Sequence, residues 1–87
     1  MGLTRTSDIG KNTRTMITTM NRVGISRIVQ FVKENHPREN VDRCMRIIRL
    51  AAKHGYAETA MKINTSRQYV EQIVVRYYRY ALEVENQ

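Results

Sequence analysis

Arg43, Arg46 and Arg49 recur at i, i+3 and i+6, a spacing that sets guanidinium groups along a helix, either to track a phosphate backbone or to face water. A second basic stretch, Arg76-Tyr77-Tyr78-Arg79-Tyr80, interleaves cations with rings that can stack on bases. On a helix, however, positions 77, 78 and 80 point in different directions, so the tyrosines read better as core residues with their hydroxyls at the rim. The groups that perform catalysis are not arranged for it: there is no paired carboxylate, no nucleophile with a neighbouring base and no phosphate-binding glycine loop to assign, so no enzymatic activity is expected. Cys44 is the one cysteine, and with His36 and His54 it makes no soft-ligand set at zinc spacing, so neither a disulfide, a metal nor another cofactor is expected.

The chain has 87 residues, 41% hydrophobic and 26% charged, which is room for one soluble domain with a small core. Fifteen Lys and Arg against eight Asp and Glu give a net charge of +7, which favours a polyanionic partner. The charge is uneven: residues 1–36 carry +4, residues 37–65 carry +3 and residues 66–87 are neutral. No apolar run is long enough to span a bilayer and residues 1–20 hold no apolar core flanked by a cleavable small-residue site, so a cytoplasmic, nucleoid-associated location without membrane contact is expected. Met1-Gly2-Leu3-Thr4-Arg5-Thr6 fits the loose myristoylation pattern, and Asn64-Thr65-Ser66 is formally a glycosylation sequon that the N-terminus gives no secretory route to use.

The elements that would position these groups are helical. Six threonines in the first 19 residues favour irregular backbone, so residues 1–14 read as a basic arm whose Arg5, Lys11 and Arg14 would contact phosphates. Met16, Ile17, Met20 and Val23 then fall at helical spacing, and Ile25, Ile28, Val29 and Val32 repeat it beyond Gly24, which predicts two short helices with Ser26 as a candidate cap for the second. Pro37 ends that helix near Asn35 and suits the first turn of a third, with Glu39 near its positive end. Val41, Cys44, Met45, Ile48 and Ala52 mark the third helix's buried face, and Gly55 its end.

From Tyr56 the spacing changes character. Ala60 is small enough for a close helix crossing, Ile63 closes a helix, Asn64 tolerates a left-handed turn, and Ser66 is a natural cap for a helix whose Val70 and Ile73 face inward. The run Gly55-Tyr56-Ala57-Glu58-Thr59-Ala60-Met61-Lys62-Ile63-Asn64-Thr65-Ser66-Arg67-Gln68-Tyr69-Val70 resembles the helix-turn-helix of sigma-factor region 4 and of LuxR-type response-regulator effector domains. The likeness covers about Gly55 to Tyr80, with Asn64 where a glycine is more usual and nothing upstream of Pro37 matching a sigma factor. It implies an all-α fold, a small bundle of four to five helices forming one domain over residues 15–87, with the motif at about 56–75. It also implies that the second helix enters the major groove, its outward N-terminal residues Ser66, Arg67, Gln68 and Gln72 reading base edges. Arg67 would pair with guanine and Gln68 or Gln72 with adenine; Glu71 either accepts from cytosine or, the preferred reading, pairs with Arg67 four residues away. Tyr69 would touch a phosphate or a thymine methyl, or pack on the edge of the motif's first helix, and Arg43, Arg46, Arg49, Arg76 and Arg79 would supply phosphate contacts.

No breaker interrupts residues 67–84, so the last helix should extend about 27 Å, longer than a three-helix packing needs. Val75, Tyr78 and Leu82 form a second apolar stripe on it, suited either to a homodimer that reads a palindrome or to packing on the N-terminal helices. The leading reading is a small prokaryotic, phage or plasmid transcriptional regulator binding double-stranded DNA. The neutral last third keeps open a module that docks on RNA polymerase or another regulator, and the positive field keeps open RNA binding.

Overall fold

Four helices follow the apolar periodicity: α1 (Gly2–Val23), α2 (Ile25–Asn35), α3 (Val41–Lys62) and α4 (Arg67–Glu85). They come from a computed structural model that describes the backbone of residues 2–87 and the side chains of residues 13–87. The fold is a small all-α bundle, with no strand among the described residues. No helix among them is long and apolar enough to cross a membrane.

The helix ends are set by a few residues. Gly24 separates α1 from α2 at φ 111°, a conformation that L side chains rarely adopt, and Met20 still accepts its N–H at 3.0 Å. Gly24, not Ser26, caps α2, because the chain bends one residue before the first turn and leaves Ser26 inside the helix. His36 closes α2 and Pro37 lies in the turn that follows. The third helix therefore starts later than proline's preference for a first turn suggests: Asn40 caps it, accepting from the Arg43 N–H at 3.2 Å, and a side-chain cap outweighs a preset φ. Gly55 (φ 87°, ψ 172°) kinks α3 into limbs 41–54 and 56–62, so five helical segments are counted by backbone geometry.

α1 is helical through the threonine-rich stretch read as an irregular arm. Thr loses only a few tenths of a kcal/mol per residue against good helix formers, while Met16, Met20 and Val23 are buried in the core and anchor the helix downstream. Arg14 is thus an exposed residue on a helix, and the side chains of Arg5 and Lys11 lie outside the described residues.

The core is organised around α4, which packs most extensively on α3, then on α1 and α2. Its buried strip is Val70, Ile73, Val74, Tyr77, Tyr80, Ala81 and Val84. The limb 41–54 of α3 contributes Val41, Cys44, Met45, Ile47, Ile48 and Ala51 to the same core. Ala52, assigned to the buried face by spacing, is exposed, while Ile47 and Ala51 are buried beside the other four, because the extensive packing of α3 on α4 covers flank residues that the spacing does not single out. Tyr77 meets Tyr80 edge-on at 5.1 Å between ring centroids, and Tyr80 lies 4.6 Å from the His36 ring and 6.2 Å from Phe31. The tyrosines at 77 and 80 are core residues, so Arg-Tyr-Tyr-Arg-Tyr offers no continuous stacking platform.

Burial drives the acid-base behaviour of this core. It raises the Cys44 thiol above its ordinary 9.0 and the hydroxyls of Tyr56, Tyr77 and Tyr80 above their ordinary 10.0. All four are protonated at neutral pH, and the stability linked to them is fully present below the unfolded values and lost as pH rises through the folded ones. Unfolding free energy measured by denaturant titration should be level between about pH 6 and 8 and fall above about pH 9; a rise above that pH would contradict the assignment. The Gly55 kink gives a second check: an added Cβ there meets nothing within 4 Å, so Gly55→Ala should cost only the strain of a glycine-only conformation, about 1 to 3 kcal/mol.

Candidate nucleic-acid interface

The turn between α3 and α4 is built by backbone hydrogen bonds that asparagine makes possible. Asn64 adopts φ 57°, and it is the one residue other than glycine with a positive φ among the described residues. With Asn64 left-handed, the Thr65 N–H reaches back to the Ala60 carbonyl at 2.9 Å and the Asn64 N–H to Met61 at 3.3 Å, the paired bonds of a Schellman ending. Ser66 then takes extended backbone (φ −87°, ψ 151°) and its Oγ accepts from the Tyr69 N–H at 3.0 Å, capping α4. Ala60 is buried beside the turn, as the tight ending requires, and Ile63 is half-buried.

This geometry determines what α4 shows to solvent. Val70, Ile73 and Val74 face the core, so Arg67, Gln68 and Gln72 are exposed on the first two turns, next to exposed Ser66. None of the side chains of Arg67, Gln68 and Gln72 makes an ion pair or hydrogen bond with another described residue, and the expected Arg67–Glu71 pair is not formed. Glu71 is half-buried on the α4 flank and lines the groove on that face. Gln68, Glu71, Gln72, Val75, Arg76 and Arg79 line one open groove of about 490 Å³ along the outer face. Its residues lie at i, i+3, i+4, i+7, i+8 and i+11, one face of a helix.

The cations divide into groups that the sequence does not separate. Arg79 is exposed beside Gln72 in the α4 groove. Arg76, expected to meet a phosphate, instead donates to Glu39 Oε1 at 2.6 Å, and the Cys44 thiol donates to the same oxygen at 3.4 Å. The Glu39 side chain is only 15% exposed, so the pair ties the 36–40 turn to α4 and takes Arg76 out of the free positive field. Arg43, Arg46 and Arg49 are all exposed on α3, but Arg46 and Arg49 line a different groove, with Ile25 and Val29 of α2. Tyr69 is half-buried and packs against the core cluster. Val75 and Tyr78 are likewise half-buried against the core, and Leu82 is half-buried. Glu39 was missed as a partner because 37 residues separate it from Arg76 and nothing local marks the contact.

Among the described residues, no group of three His, Cys, Asp or Glu side chains could hold a metal ion. Comparisons of this chain with protein-family models, curated proteins and solved structures gave no match.

Asn64→Ala should lose about 1 to 2 kcal/mol, because an alanine resists the left-handed region, and Ser66→Ala about 1 kcal/mol. Asn64→Gly should leave thermal stability nearly unchanged, and equal losses for Ala and Gly at position 64 would contradict a backbone origin.

Proposed function

We propose that this protein binds double-stranded DNA in a sequence-specific manner, reading the major groove with the first two turns of α4, and acts as a small transcriptional regulator. The observation that carries the reading is the set Arg67, Gln68 and Gln72. Their planar, multi-donor head groups are exposed together at the start of one rigid helix, and no other described residue takes up their hydrogen-bonding capacity. A guanidinium matches the O6 and N7 acceptors of guanine and a carboxamide matches the N6 and N7 edge of adenine. The Asn64 turn and the Ser66 cap are the backbone features a helix-turn-helix requires at this point, and they support the resemblance to sigma-factor region 4 and LuxR-type effector domains. Arg79, in the same groove, is placed to meet a phosphate.

Dimerisation belongs to the reading in a reduced form. Val75 and Tyr78 already pack within the protomer, so the apolar stripe that would join two copies rests largely on Leu82 and the outer edge of Val75. A docking role for this end of the molecule, on RNA polymerase or another regulator, is favoured by one observation. Met61, beside the turn, is 81% exposed and is the one large hydrophobic so exposed among the described residues.

Selection of bound duplexes from a random library at about 0.15 M salt, where phosphate contacts alone bind weakly, tests the proposal. An enriched motif is expected, and a palindromic one adds the dimer; no enrichment contradicts the reading and favours protein docking. Arg67→Ala should remove preference at one base position, at a cost of about 1 to 3 kcal/mol on the preferred site. Arg79→Ala should weaken all duplexes alike and lower the salt slope by about 1. A uniform loss from Arg67→Ala would remove its readout role.

A further inference from the structure

α1, α2 and α3 converge on α4 but touch one another much less, and a groove opens between them. It begins between α1 and α3, where Arg14 and Ile17 face Ala52 and Lys53 across a depression of about 340 Å³. A second depression of about 200 Å³ shares Ile17 and Ala52 with the first and is floored by Met20, Met45 and Ile48. A third, of about 410 Å³, shares Ile25, Met45 and Arg49 with the second and runs on past Val29 to Arg46 and Asp42. Shared walls make these one continuous groove alongside the 41–54 limb of α3, from Gly55 to Asp42, about 20 Å at 1.5 Å per residue.

The floor and the rim differ in chemistry. Ile17, Ile25 and Val29 are half-buried beside buried Met45, so the floor is apolar and open. Arg46, Arg49 and Lys53 rise along one side at i, i+3 and i+7, and Arg14 stands on the other. These four cations are exposed and form no ion pair with another described residue; the acid on the rim is Asp42.

We propose that this groove binds an acidic amphipathic helix of a partner protein. The groove accommodates three to four turns, about 13 residues. An apolar helix face at i, i+3, i+4 and i+7 fits the floor, and carboxylates flanking that face meet cations on both walls. A nucleic-acid backbone would satisfy the rim but gain nothing from an open aliphatic floor. A second copy of this chain carries the same +7 and brings the wrong sign. The site shares no lining residue with the α4 groove, so a regulator could hold DNA and partner together, and the inference does not depend on the DNA reading.

The test uses a fluorescein-labelled peptide of about 14 residues, leucine at i, i+3, i+4, i+7 and i+11 and mostly glutamate elsewhere, with a scrambled peptide of equal composition as control. Anisotropy should saturate for the patterned peptide, and the methyl resonances of Ile17, Ile25, Val29 and Met45 should shift. The charge-reversing pair Arg46→Glu and Arg49→Glu should weaken binding about tenfold or more. Ala52→Trp, an exposed position inside the groove, should block it while circular dichroism stays unchanged. Equal binding of the scrambled peptide, unmoved groove methyls, or groove methyls that respond to duplex DNA or to protein concentration instead would each overturn the proposal. The methyl readout on the unsubstituted protein stands even if a variant fails to fold.

Discussion

The burial of one side of α4 is the constraint on which the rest depends. Three helices converge on a single strip running from Val70 to Val84, and the opposite side is what remains for solvent. Losing a core aliphatic such as Ile73 would cost about 2 to 5 kcal/mol, whereas an exposed ion pair such as Arg22–Glu85, at 2.6 Å, is worth about 1 kcal/mol or less. Apolar packing therefore sets how α4 is rotated, and ion pairs only trim the ends. Because the rotation is fixed by seven buried side chains, Arg67, Gln68 and Gln72 are presented on an element that cannot turn without unpacking the core. Rigid presentation is what a hydrogen-bonding readout needs.

The same constraint accounts for the second face. Helices that all pack on one partner need not pack closely on each other, so the seams between α1, α2 and α3 stay open and keep aliphatic side chains half-exposed. Cations border the seam, while on α4 they are partly neutralised, Arg76 by Glu39 within the fold. The exposed cations are thus not gathered on one surface: Arg14, Arg46, Arg49 and Lys53 border the seam, while Arg67 and Arg79 lie on α4 among its planar polar groups.

Much of this is legible in the sequence. The break at Gly24, the stop near Asn35, the left-handed Asn64 and the Ser66 cap each follow from a residue with a narrow set of conformations, and local chemistry determines them; Gly55, expected to end the third helix, interrupts it as a kink instead. The start of the inner stripe of α4 is also readable, because Val70 and Ile73 fall at the inward positions of its first turns. What was not legible depends on partners distant in sequence. The late start of α3 turns on competition between Pro37 and the Asn40 cap. The rotation of α3 that buries Ile47 and exposes Ala52 follows from where α4 lies. The capture of Arg76 by Glu39 joins positions with no periodic relation, and the same holds for Arg22 and Glu85. At the candidate interface, the exposure of Arg67, Gln68 and Gln72 could be read from the helical wheel; the division of the arginines between two grooves could not.

Amide chemical-shift mapping of the whole chain against a duplex carrying the selected motif tests most directly whether the proposed reading face of α4 is separate from its core strip. Shifts concentrated at residues 66–72 and 79, with the α3 limb 41–54 unmoved, are the predicted result. Shifts concentrated along Arg14, Arg46, Arg49 and Lys53 with residues 66–72 unmoved would contradict it.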